Sequence, residues 1–91
     1  MYLHLGQDTV IKTDEVLGIF DLDTATISKY TREYLAQAEK KGRVVNVSME
    51  LPKSFVVCSC PDGGVKVYIS QISSGTLLKR TNYMDEISNV N

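Results

Sequence analysis

Few of this chain's reactive side chains sit at spacings that could support catalysis or metal binding. Cys58 and Cys60 form a Cys-x-Cys pair inside a strand-like run. Residues at i and i+2 of a strand share a face, and a disulfide between them would be badly strained. Two reduced thiols are the expected state. A zinc site needs more ligands, and the single histidine, His4, is far away in the chain. No metal site is expected. His4 alternates with Leu3 and Leu5, which suits a surface or hydrogen-bonded histidine better than a general base. The carboxylate pairs Asp14-Glu15 and Asp21-Asp23 are accounted for by turns and a helix start. There is no glycine-rich phosphate loop, nucleophile elbow or His-Glu-x-x-His. No catalytic residue is assigned, no cofactor is implied, and the chain reads as a non-enzyme.

The tyrosines admit two uses. Tyr30 and Tyr34 are spaced to pack a helix on a sheet, so both are expected in the core. Tyr68, between Lys66 and Ser70, could form a stacking platform for single-stranded nucleic acid. An ordinary half-buried sheet surface or a subunit contact is the favoured reading.

These residues need elements to hold them. Tyr2-Leu3-His4-Leu5 and Thr9-Val10-Ile11-Lys12, separated by Gly6-Gln7-Asp8, read as an N-terminal hairpin. Val16-Leu17-Gly18-Ile19-Phe20 is a continuous apolar run of strand length, expected to be buried on both faces. The period then changes. Ile27, Tyr30, Tyr34, Leu35 and Ala38 form one stripe of an amphipathic helix from Thr26 to Lys41, closed by Lys40-Lys41-Gly42. Three strands follow. In the first, Val45, Val47, Met49 and Leu51 point one way. Phe55 to Cys60 is the second, and Val65, Val67 and Ile69 alternate in the third. Pro61-Asp62-Gly63-Gly64 between them is the clearest hairpin signal, read as a tight primed turn. Ser74 to Arg80 suits a turn of helix.

The fold expected is α+β: a small antiparallel sheet of five to six short strands with one main helix packed on one face. The other face must then meet solvent or another subunit, which predicts self-association. Ninety-one residues make one domain, taken as 1–80, with 81–91 a polar tail. Ten Lys and Arg nearly balance eleven Asp and Glu, so any nucleic-acid site must be a local patch. No apolar run reaches membrane-span length, and the opening MYLHLGQD reads as strand rather than leader. The expected location is cytoplasmic.

The start Leu3-His4-Leu5-Gly6, the run Val16–Phe20, the helix ending in Lys40-Lys41-Gly42 and the strands after it come in a familiar order. Across residues 2–80 the chain resembles the bacterial extracellular matrix regulatory proteins RemA and RemB, and the MYLHLG opening leans toward the RemB side. The resemblance implies a transcriptional regulator of biofilm matrix genes that acts as a ring-like or other homo-oligomer. It also implies arginine contacts to duplex DNA in two places. The first maps onto Asp14-Glu15. The second maps onto Glu50-Leu51-Pro52-Lys53-Ser54, within the stretch SMELPKSF. One lysine remains there and no arginine, so most of the phosphate-neutralising charge is missing. Lys53, Lys12 and Lys66 are the DNA-contact candidates, each repeated around an assembly. The alternative is an oligomer that binds no DNA and acts through protein partners.

Overall fold

The computed structural model describes residues 1–22 and 29–81. Alternating apolar residues build the first two strands, β1 (Tyr2–Gly6) and β2 (Thr9–Lys12). They pair antiparallel with a bulge between His4 and Gly6. Gly6 (φ 120°) and Gln7 (φ 47°) make the reversal. A 3-10 turn at Thr13–Glu15 leads into β3 (Val16–Asp21). Then come α1 (Lys29–Lys40), β4 (Val44–Asn46), β5 (Ser54–Ser59) and β6 (Val65–Ser70). A second helix, α2, is described over residues 74–81.

The α+β class and the single main helix hold. The strands form two sheets, however: the β1-β2 hairpin and a four-stranded sheet in the order β3-β5-β6-β4. The larger sheet is mixed, because β4 runs parallel to β6.

Alternation along β5 and β6 sorts their side chains to two faces. Phe55, Val57, Val65, Val67 and Ile69 face α1 and pack with Leu35 and Ala38. Val56, Cys58 and Tyr68 face the other way, against Leu3, Leu5, Ile11 and Leu77. The second face is therefore not open, as the one-helix reading required. The hairpin and α2 cover it, giving three layers. Ser70 Oγ donates to Leu5 O at 2.6 Å and stitches the two sheets together. Ser54 Oγ, on β5, donates to Ile72 O at 2.7 Å and holds the segment that leads from β6 to α2. Arg80 ties α2 to the hairpin by donating to His4 O at 2.9 Å.

Helix α1 ends as its sequence dictates. Gly42 takes φ 70°, Arg43 N–H donates to Ala38 O and Gly42 N–H to Glu39 O, which is a Schellman motif. The expected start at Thr26, the apolar Ile27 and the acidic Asp23 lie outside the described residues, as does the polar tail beyond Thr81. The Pro61–Gly64 hairpin is present, but only Gly63 (φ 87°) is left-handed. Gly63 N–H donates to Cys60 O, so a turn followed by one left-handed glycine replaces the primed turn.

Candidate functional site

The stretch SMELPKSF does not continue the strand before it. Strand β4 lies at one edge of the sheet and β5 lies inside it, so the chain must cross the end of β6 to connect them. Val47 turns inward and its N–H donates to Ile69 O. Ser48 Oγ accepts the Glu50 N–H at 3.1 Å. Lys53 N–H donates to Ser70 O, and Lys53 O accepts from Leu22 N–H. The backbone of Lys53 is thus held on both sides while its side chain stands in water. Between these anchors Met49 is 100% exposed and Leu51 78% exposed. The alternation that put Met49 and Leu51 in a strand fails because a crossover has no ladder to join, and Pro52 has no N–H to give one.

The other two lysines lie elsewhere. Lys66 sits near the start of β6, opposite Cys58, whereas Lys53 adjoins Ser70 at its end. Lys66 Nζ lies 5.8 Å from the centroid of Tyr68, a cation–π contact. Lys12 closes β2, one turn before Asp14 and Glu15, at the head of β3. That head pairs with Cys58, so Lys12 belongs to the Lys66 end of the sheet. The three candidates form no single patch. Lys53 is alone at its end, with Glu50 in the same loop and Asp21 on the neighbouring strand.

Tyr68 is half-buried and packed on the core below the hairpin, as the ordinary sheet reading has it. Its hydroxyl pKa is raised, first by burial and then by Cys58, Cys60 and Glu15. Both cysteines are free thiols. Burial, with Glu15 and Cys60 adding, pushes Cys58 up to about 11, so it stays protonated and inert. His4 is exposed, and its Nε2 lies 2.8 Å from Gln7 O. Arg43, just ahead of β4, forms an ion pair at 2.8 Å with Asp62 in the β5-β6 turn. That hydrogen bond, helped by the Gly64 N–H, holds the Asp62 carboxyl below its ordinary range.

The expected core tyrosines are not in the core. Tyr30 is 81% exposed and Tyr34 41%. Helix α1 packs with Leu35 and Ala38 toward β4 and β6, off the centre of the sheet. The tyrosine stripe is turned toward β3 and floats above it. Strand β3 is consequently not buried on both faces. It is an edge strand, with Leu17 63% and Phe20 48% exposed. Phe20 lies over Gly18, where a Cβ would meet its ring at 2.7 Å, and stacks on Phe55 at 4.9 Å. An open apolar groove of about 350 Å³ results, walled by Tyr30 and Tyr34 on the helix and by Leu17 and Phe20 on the strand. Sequence reasoning missed this groove. Its signal was the width of the helix stripe: Tyr30, Tyr34, Leu35 and Ala38 span more than the narrow seam a small helix buries.

Among the described residues, no helix is long and apolar enough to cross a membrane, and no three His, Cys, Asp or Glu side chains cluster to hold a metal. Comparison with known proteins decides the family. Residues 2–81 match the RemA-like family, described as extracellular matrix regulatory protein A-like. The chain belongs to the RemA-like family. It is 40% identical over 87 residues to extracellular matrix regulatory protein B of Bacillus subtilis (strain 168), covering 96% of this chain and 98% of that protein. Within the RemA-like family the chain is thus similar to a B-type regulator over nearly its whole length.

Proposed function

We propose that this RemA-like protein regulates extracellular-matrix genes at the level of transcription, in the cytoplasm, as a homo-oligomer. It has no catalytic role in this reading. The observation that carries the assembly is the exposed apolar groove between α1 and β3. A small domain that leaves Leu17, Phe20 and Tyr30 in water has a surface suited to burial by association. The name of the B. subtilis relative supplies the matrix-regulating role.

Duplex DNA is the partner in the first form of this proposal. Lys53, held by its backbone at the end of the sheet, is the contacting residue, repeated once per subunit. Lys12 and Lys66 add a weaker field at the opposite end. A second form is favoured by Met49, Leu51 and Glu50. An apolar, acidic loop tip suits a protein partner better than a phosphate backbone.

Fluorescence anisotropy with a labelled AT-rich duplex at low and near-physiological salt separates them. The first form predicts binding that weakens steeply with salt, the log–log slope rising by roughly 0.9 for each phosphate neutralised. Lys53→Glu then weakens binding and leaves the assembly intact. No binding at either salt, with the assembly present, rejects DNA contact and leaves the protein-partner form.

A further inference from the structure

We propose that strands β3 and β4, the two edges of the four-stranded sheet, pair with each other between successive copies of this chain. The proposal rests on the assembly reading above and gives it an interface.

The strand directions permit it. Strand β3 is antiparallel to β5, β5 is antiparallel to β6, and β6 is parallel to β4. The two edges therefore run the same way. A second copy related by rotation about an axis along the strands brings its β3 beside β4 in parallel, and the sheet continues across the junction. Among the described residues neither outer edge has a strand beside it.

Charge selects this pairing over the others. In the parallel arrangement the strand heads meet. The head of β3 carries Asp14, exposed, and Glu15, half-buried, with Lys12 before them. The head of β4 follows Lys40 and Lys41, both exposed, while Arg43 between them and the strand is already paired with Asp62. Acid thus meets base. At the tails, Asp21 comes beside Asn46, with Glu50 and Lys53 of opposite sign further along the crossover loop. A two-fold dimer through β3 alone would run antiparallel and set Asp14 and Glu15 against the other copy's Asp21, which is repulsive. A two-fold dimer through β4 would leave the apolar groove along β3 uncovered.

Apolar burial adds to charge. Phe20 lies on the α1 face of the sheet, over Phe55, and Leu17 lines the same groove. Helix α1 sits over β4 and β6, leaving the β3 side uncovered. In the continued sheet, one copy's β3 lies next to the neighbouring copy's β4, beside the neighbour's helix. The groove, walled on one side by its own α1, gains its second wall from that neighbour. Each copy gives one edge and receives another, so the contact is head-to-tail and propagates until it closes.

The test is sedimentation velocity of the full chain across a concentration series, with circular dichroism confirming that each variant is folded. Wild type is compared with Asp14→Lys, with the double variant Lys40→Glu/Lys41→Glu, and with all three changes together. The expected result is that each partial reversal raises the dissociation constant roughly tenfold or more, because like charges now face each other. Combining the reversals restores assembly. Leu17→Ser weakens assembly without restoring partner, since it removes apolar burial rather than charge. An assembled wild type whose mass is unmoved by these variants overturns the β3–β4 junction and leaves the assembly reading standing. A wild type that stays monomeric throughout overturns both.

Discussion

At the scale of single residues, the polar atoms that matter most are two buried serines. Ser70 Oγ donates to Leu5 O and accepts the Ile72 N–H at 3.0 Å, joining β1 to β6 and to the chain beyond it. Ser70→Ala orphans both groups in a site with no exposure. It should cost about 1–3 kcal/mol, measured by urea unfolding. Cys58 gives a pH prediction. Its thiol ordinarily titrates near 9.0, and in the folded chain near 11. Between those values the unfolded chain binds fewer protons than the folded one, so stability falls as pH rises. Below about pH 9 both forms are protonated and Cys58 contributes no slope. Thermal unfolding across this window should fall less steeply in Cys58→Ala than in wild type. Reduced thiols and a hydrogen-bonded His4 were legible from spacing alone. The separation of Lys53 from Lys12 and Lys66 was not, because it depends on which end of which strand each lysine occupies.

At the scale of elements, local signals worked where they were self-contained. Lys40-Lys41-Gly42 ends α1 as read, with Gly42 left-handed. Gly42→Ala should destabilise by about 1–2 kcal/mol, the cost of a left-handed Cβ, seen as a lower unfolding midpoint at unchanged denaturant slope. The N-terminal hairpin and the β5-β6 hairpin were legible for the same reason: turn residues sit between alternating runs. Signals failed where a distant partner decided the outcome. Val45 to Leu51 alternates like a strand, yet only Val44–Asn46 finds a ladder, in parallel with β6. Val16–Phe20 reads as a doubly buried strand, yet the sheet order puts it at an edge, and α1 settles over β4 and β6, so Leu17 and Phe20 stay exposed. Tyr30 and Tyr34 follow from the same displacement. Periodicity defines a helix's apolar stripe but not where on the sheet the helix will rest.

At the scale of the whole molecule, self-association was expected from an open sheet face. The structure moves the argument to a different surface. The face in question is closed by the β1-β2 hairpin and α2, through Leu3, Leu5, Ile11 and Leu77. What stands open is the groove along β3, together with the Met49–Leu51 loop at the end of the sheet. A chain of near-zero net charge with two such apolar features has a physical reason to assemble. The RemA-like family description supplies the matrix-regulating context, and in the proposed DNA-bound form the acidic residues beside Lys12 and Lys53 make contact dependent on repetition of subunits. Assembly is therefore the central claim, and native mass spectrometry of the full chain at several concentrations tests it most directly. A discrete species of several subunits, persisting to low concentration, is the predicted result. A mass of one chain, 10.1 kDa, at every concentration would contradict it.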